Sequence, residues 1–154
     1  MPDDTTSALA GRLDADLKDA MRAGDKLRLG AIRRARAAVK NAEIEAREPL
    51  DDAGVVRVLR GLVKQHEESI EHFRTGGRDD LVAKETAERD VLEAYLPRLL
   101  DEAAVERVVA EVVAAEGASG RGDMGRVMKA AMARLGGQAD GKLVNAVAAR
   151  LLDA

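Results

Sequence analysis

Apolar residues recur three or four positions apart along almost the whole chain, and this spacing limits the fold more than any other sequence feature. The N-terminal segment shows it first, with Leu9, Leu13, Leu17 and Met21 spaced four apart before Gly24. Such a repeat places apolar side chains on one face of an α-helix, whereas a half-buried strand needs alternation, which no segment shows. The sequence therefore predicts an all-α protein.

Residues that start and stop helices divide this pattern into seven helices. Asp25 and Asp101 stand where an acidic side chain would cap a helix start, and glycine pairs follow the third and sixth helices. Pro97 marks a candidate boundary between groups of helices. We expect an N-terminal lobe of about four helices over residues 1–97, followed by a C-terminal three-helix bundle over residues 98–154.

The composition excludes several classes of function. The chain has no Cys, so it forms no disulfide and no thiolate metal site. Phe73 and Tyr95 are its only aromatic residues, too few to stack the bases of single-stranded RNA. Because the net charge is −3, nucleic-acid binding would need a local basic patch. No stretch could span a membrane, and the acidic start lacks the pattern of a secretory signal, so we expect a cytoplasmic protein.

The segment "GASGRGDMGRVM" contains two well-known short motifs. Gly120, Gly122 and Gly125 fit the G-x-G-x-x-G pattern of dinucleotide-binding loops, and residues 121–123 spell the Arg-Gly-Asp tripeptide of adhesion ligands. A dinucleotide-binding loop must follow a buried strand, but an amphipathic helix is predicted before this one. We interpret the segment as a loop between helices, with Asp123 as the N-cap of the next helix.

Two histidines and two glutamates on the third and fourth helices are candidates for chemistry. His66 and His72 are six positions apart, about 240° around a helix, so they cannot share one metal ion. We expect both to be partly exposed and predict no metal, no cofactor and no catalytic residue. Glu85 and Glu88 lie on the apolar face of the fourth helix; acid–base chemistry is one interpretation, but pairing with Arg on the second helix is favoured.

The second helix has a basic stripe, which consists of Lys26, Arg33, Arg36, Lys40 and Arg47. At about 100° per residue these side chains fall within a sector of roughly 80°. Such a face is usually solvated or salt-bridged, and phosphate binding is the minority interpretation.

Two longer stretches are more specific. Residues 64–97, "KQHEESIEHFRTGGRDDLVAKETAERDVLEAYLP", and residues 123–152, "DMGRVMKAAMARLGGQADGKLVNAVAARLL", resemble the YqeY-like family of stand-alone bacterial cytosolic proteins. That family is similar in turn to the tail domain of the B subunit of glutamine-dependent tRNA amidotransferase, which recognises the tRNA elbow. By this resemblance, the positions most comparable to the tail are Met124, Gly125, Met128, Gly137, Ala139, Asp140 and Val144.

The resemblance implies a non-catalytic tRNA-binding module that carries the family label of carbon–nitrogen ligase activity with glutamine as amido donor. A protein-interaction adaptor without an RNA ligand is the alternative, and a small amidotransferase-like enzyme comes third. The chain departs from the family pattern at two places: the family often has a basic residue at the position of His66, and often has Lys near Gly137.

The candidate RNA contacts lie where the sixth and seventh helices begin. Gly125 and Gly141 permit another group to approach the backbone closely. The favoured interpretation is that a neighbouring helix makes this approach. The other interpretation is approach by an RNA backbone, because free N–H groups at a helix start attract phosphate. Arg126, Lys129 and Lys142 would then supply the charge.

Overall fold

The computed structural model describes residues 7–153, which are 81% helical and contain no strand. The all-α prediction is therefore confirmed. In chain order the described helices are α1 (Ala8–Ala23), α2 (Lys26–Ala46), α3 (Asp52–Thr75), α4 (Asp79–Glu93), α5 (Glu102–Glu116), α6 (Met124–Leu135) and α7 (Gly141–Asp153), with one 3₁₀ turn at Arg121–Asp123 before α6.

Short polar side chains start four of these helices. The Ser7 hydroxyl accepts the N–H of Ala10 at 3.2 Å. Asp25, Asp51 and Asp101 each accept the N–H three residues further on, at 2.8–3.1 Å. The first-turn N–H groups have no partner within a helix, so each of these contacts satisfies a donor that would otherwise need water.

Residues in the left-handed conformation end four of the described helices, α1, α2, α5 and α6. Gly117 and Gly136, directly after α5 and α6, have φ of 61° and 56°. Glycine adopts this conformation without a steric penalty and so closes a helix readily. α2 ends at Ala46, because Arg47 takes a φ of 58° two residues before Pro49.

Helices α1 to α4 form one compact unit, which ends at Leu96. Its apolar core draws on all four helices and contains fully buried alanines, whose small side chains allow the helix axes to approach closely. The buried core residues are Leu13, Ala20, Ile32, Ala35, Val39, Val55, Leu59, Leu62, Val63, Leu92 and Tyr95.

A polar contact joins the starts of α1 and α3 within this unit. The carboxylate of Asp52 accepts the hydroxyl of Ser7 and the N–H of Leu9, the latter at 3.2 Å. These two hydrogen bonds lower the pKa of Asp52, with that from Ser7 contributing most. The contact links residues more than forty positions apart and therefore fixes the start of α1 against α3.

Helices α5 to α7 form a second compact unit, which begins at Pro97. Its core is aliphatic, dominated by valine, and its first residues are anchored by the Leu100 N–H, which donates to the Gln138 carbonyl at 2.8 Å. The buried core residues are Val105, Val109, Val112, Val127, Ala131, Leu135, Ala139, Val144, Val147, Ala148 and Leu152.

Candidate functional site

The glycine-rich segment before α6 follows a helix. α5 ends at Glu116, and the chain then passes through the 3₁₀ turn directly into α6. The strand that a dinucleotide-binding loop requires is therefore missing from this place. Asp123 occupies the N-cap position of α6, as predicted, but its side chain accepts the N–H of Ser119 at 3.0 Å and not an N–H of the first turn of α6.

The charged ends of the Arg-Gly-Asp tripeptide are both bound within the second unit. Arg121 donates two hydrogen bonds to the carboxylate of Asp153, each at 2.8 Å. The Ser119 N–H, and to a lesser degree the nearby Arg126, lower the pKa of Asp123. The tripeptide therefore serves to hold the loop before α6 against the end of α7.

The two helix-start glycines have open surroundings. A Cβ atom placed on Gly125 or on Gly141 would meet nothing within 4 Å. Neither glycine is therefore needed for close packing against another part of the described chain. The interpretation that the sequence favoured, close approach by a neighbouring helix, is wrong at both positions.

Three exposed cations lie near these glycines. Arg126 and Lys129 are on α6, and Lys142 is the second residue of α7. The Arg126 guanidinium is 3.0 Å from the Asp123 carboxylate and 3.8 Å from that of Glu116, yet half of its side-chain surface stays exposed. The backbone N–H of Lys142 donates to the Asp140 side chain at 3.1 Å, and its own side chain is in solvent.

The basic stripe of α2 borders a groove in the first unit. Arg33, Arg36 and Lys40 line this groove of about 390 Å³ between α1 and α2, together with Asp14 and Glu43. Arg36 and Asp14 form an ion pair at 2.5 Å. Since acidic side chains share the lining, the groove is less basic than the stripe alone suggested.

His66, Glu85 and Glu88 come together between α3 and α4. Nδ1 of His66 lies 2.6 Å from Oε2 of Glu85 and 3.9 Å from Oε2 of Glu88. His66 is only 2% exposed, so the expectation that it is partly exposed is wrong. Glu88 is also buried, and Arg34 of α2 approaches its carboxylate at 3.5 Å. Glu88 therefore contacts an arginine of α2, and this arginine lies outside the basic stripe.

Sequence reasoning missed this cluster because it tested the histidines only against each other. His66 lies on the apolar face of α3, a position that the helical spacing itself gives, and its partners are nineteen and more residues further along the chain. A signal was nevertheless available: Glu85 and Glu88 are three apart and face the core from α4. Two inward carboxylates opposite an inward histidine indicate a buried polar cluster.

The aromatic side chain of Tyr95 offers no free stacking surface. Tyr95 is 6% exposed, its hydroxyl donates to Asp16, and the Arg12 guanidinium lies 4.5 Å from the centre of its ring. Burial, together with the Asp16 carboxylate, raises the pKa of Tyr95 to about 12. Phe73 is partly buried.

Of the helices that the structure describes, none has the length and hydropathy needed to cross a membrane.

Comparison with protein families identifies the relationship of the chain. The profile of the family described as Yqey-like protein matches residues 10–152, which is nearly all of the sequence. The chain belongs to this family. The match spans both units of this YqeY-like protein and includes every candidate residue described above.

Curated relatives of this YqeY-like protein occur in fungi and carry the name "Altered inheritance of mitochondria protein 41, mitochondrial". The protein from Eremothecium gossypii is 44% identical over 95 residues, covering 61% of this chain and 51% of the relative. That from Pyrenophora tritici-repentis is 36% identical over 131 residues, covering 83% and 71% respectively. That from Saccharomyces cerevisiae S288c is 37% identical over 94 residues, covering 60% and 51%.

These relatives correct two expectations, one about the source of the protein and one about its compartment. They are named as mitochondrial proteins of fungi, which contradicts the expectation of a bacterial, cytoplasmic protein. The expectation of a cytoplasmic protein rested on the missing pattern of a secretory signal and on the resemblance to a family of bacterial cytosolic proteins. Neither observation distinguishes the cytoplasm from mitochondria. The chain spans about half the length of two of these relatives.

Proposed function

We propose that this YqeY-like protein is a non-catalytic module that binds folded tRNA. The unit that begins at Pro97 would be the counterpart of the amidotransferase tail domain, which the sequence resembles. The observation that supports this most is the pair of open helix starts at Gly125 and Gly141, with exposed cations beside them.

The physical argument starts from the backbone. The first turn of a helix has N–H groups without a partner within the helix and carries the positive end of the helix dipole, so it favours phosphate. At α6 the Met124 N–H already donates to the Arg121 carbonyl. At α7 the Lys142 N–H already donates to the Asp140 side chain, so a phosphate would use other donors of these first turns or displace Asp140. Without a Cβ atom at Gly125 or Gly141, a phosphate could approach this backbone closely. Lys129 and Lys142 would add long-range attraction, and Arg126 could exchange its carboxylate partners for phosphate.

The expected target is structured rather than single-stranded RNA. Single-stranded RNA is usually held by bases stacked on aromatic side chains, and in this protein Tyr95 is buried. A surface of helix starts and separate cations instead reads backbone shape, which a folded tRNA presents. The carbon–nitrogen ligase label would then describe the larger enzyme to which the family is similar, and not a reaction of this chain.

A binding experiment tests the proposal. Fluorescence anisotropy with labelled tRNA should show binding that is stronger than to an unstructured RNA of equal length. If Arg126, Lys129 and Lys142 each neutralise one phosphate, the log–log dependence of affinity on salt should have a slope of about −2 to −3. Lys129→Ala or Lys142→Ala should each reduce that slope by roughly one.

Arg33→Ala provides the matched control, because Arg33 is an exposed cation of the first unit. Arg33→Ala changes the net charge by the same amount as Lys129→Ala or Lys142→Ala. If it changed the salt slope equally, the effect of the lysines would reflect only the net charge of the protein. Preference for unstructured RNA, or no tRNA binding at low salt, would refute the proposal. The protein-interaction adaptor would then be favoured, and the exposed side chains of Met21 (55%) and Ile44 (68%) would be the first contacts to examine.

A further inference from the structure

The cluster of His66, Glu85 and Glu88 between α3 and α4 takes no part in the proposed tRNA binding, and its geometry points to a separate function. We propose that His66, Glu85 and Glu88 form a binding site for a divalent transition-metal ion, for which Zn²⁺ is the probe.

The ligand atoms are close enough for one ion. One nitrogen of His66 and one oxygen from each glutamate all lie within 4.8 Å of one another. A tetrahedral Zn²⁺ with bonds of about 2.0–2.2 Å would hold its ligand atoms about 3.3–3.6 Å apart. The distances from His66 Nδ1 to the two carboxylates, 2.6 and 3.9 Å, lie on either side of that separation. Side-chain rotations therefore suffice to bind the ion.

The backbone positions suit a preorganised site. Glu85 and Glu88 are three residues apart on α4, so they share one face of the helix, and His66 faces them from α3. Ligands on regular helices are held more precisely than ligands on loops. The Glu85 side chain is 18% exposed, compared with 2% for His66, so an ion could enter from the side of Glu85 and keep a water molecule there.

The charge balance at Glu88 also favours a cation. Its carboxylate is buried, and its contacts with Arg34 and Lys84 are long, at 3.5 and 3.9 Å. Strong charge-assisted hydrogen bonds are about 2.7–2.9 Å long. The side chains of Arg34 and Lys84 are 53% and 63% exposed, so both can turn into solvent when an ion arrives. The two carboxylates then balance the charge of the ion.

The donor set indicates the class of metal. Imidazole nitrogen suits Zn²⁺ and other first-row transition metals, whereas Mg²⁺ and Ca²⁺ prefer sites of oxygen ligands only. One imidazole with two carboxylates therefore predicts selectivity for Zn²⁺ over Mg²⁺.

The test uses the full chain without a histidine tag. Titration with Zn²⁺ against a chromophoric chelator should give one tight equivalent per chain, and excess Mg²⁺ should not displace it. Glu85→Gln keeps the size of the side chain but removes a ligand charge, and should weaken Zn²⁺ binding by at least about 10-fold, since even partners outside the ligand shell cost 10–100-fold. Co²⁺ bound to the wild-type protein should give the visible absorption of a four-coordinate site.

His72→Gln is the matched control, because His72 is the other histidine of α3 and is exposed. It should leave the Zn²⁺ affinity unchanged. Absence of a stoichiometric Zn²⁺ site in the wild-type protein would overturn the proposal, as would equal losses from Glu85→Gln and His72→Gln. Far-ultraviolet circular dichroism of each variant confirms that a loss of binding is not a loss of fold, and the wild-type Co²⁺ spectrum requires no variant.

Discussion

The carboxylate of Asp52 connects two helix starts, and its removal gives a sharp test of how the first unit is held together. It accepts the Ser7 hydroxyl and the Leu9 N–H at the start of α1, while Asp52 itself begins α3. We predict that Asp52→Asn lowers the free energy of unfolding of this unit. The asparagine keeps an oxygen acceptor and the size of the side chain, so the change isolates the charge.

The magnitude follows from the two hydrogen bonds. A hydrogen bond to a charged group contributes about 1.5–3 kcal/mol, and a neutral one roughly half as much. Asp52 is exposed to solvent, which weakens such contacts, so we expect a total loss of about 1 kcal/mol. For a unit of this size, 1 kcal/mol corresponds to a shift of roughly 4–8 °C in Tm.

The effect should depend on pH in a defined direction. The hydrogen bonds from Ser7 and Leu9 lower the pKa of Asp52 below its ordinary 3.8 in the folded protein. The unfolded chain therefore binds the proton more readily than the folded one. The stabilisation is complete above the unfolded pKa and is lost as the pH falls through the lower, folded pKa. The difference between wild type and Asp52→Asn should be full at neutral pH and should disappear in strong acid.

Urea unfolding monitored by tyrosine emission measures this effect. Tyr95 is the only tyrosine, and the chain has no Trp, so the signal reports on the first unit. Asp51→Asn is the matched control: Asp51 caps α3 through the Gly54 N–H at 2.8 Å, and Asn caps as well as Asp. If both variants lose the same stability, or if the difference persists in acid, the argued link between α1 and α3 is refuted.

Three further outcomes follow from buried groups. Tyr95→Phe removes the hydrogen bond to Asp16 and should cost about 1 kcal/mol, measured by circular dichroism during urea unfolding. Because the pKa of Tyr95 is raised from 10.0 to about 12, the first unit should lose stability as the pH rises through this range, and absorbance of the folded protein should show tyrosinate forming near the upper value. Leu135→Ala should destabilise the second unit by about 2–5 kcal/mol, since Leu135 is 1% exposed, and should leave the tyrosine-detected transition unchanged.

The helices themselves could be predicted because their signals are local. Asp25 and Asp101 were identified as caps from position alone, and each accepts the expected backbone N–H. The same reasoning identified the N-cap position of Asp123 but not its contact, because the carboxylate accepts the Ser119 N–H and not an N–H of α6. The left-handed conformation of Arg47, which ends α2, could not be predicted either. An arginine in this region has no sequence signature comparable to that of glycine.

The buried cluster could not be predicted because its members meet only after α3 and α4 have packed. The sequence places His66 and Glu88 on apolar faces, but their distance depends on how the two helices are aligned along each other. The partner of Glu88 shows the same limit: Arg34 is one residue from Arg33 of the basic stripe, and a rotation of about 100° decides which of the two faces α4. The resemblance to the YqeY-like family suggested tRNA as the ligand. The open space around Gly125 and Gly141, where tRNA is proposed to bind, is known only from the structure.

Replacing Gly125 and Gly141 with alanine separates the structural from the functional explanation of these glycines. Neither has a positive φ, and an added Cβ would meet nothing within 4 Å, so each alanine should fit and should raise helix stability by up to about 1 kcal/mol. If the tRNA backbone approaches these helix starts, the same methyl groups should weaken tRNA binding several-fold. Gly61→Ala is the control, an equally open glycine within α3 that should leave tRNA affinity unchanged. Loss of stability at Gly125 or Gly141 would show that the positions serve packing after all, whereas stabilised variants with full tRNA affinity would remove the open helix starts from the proposed interface.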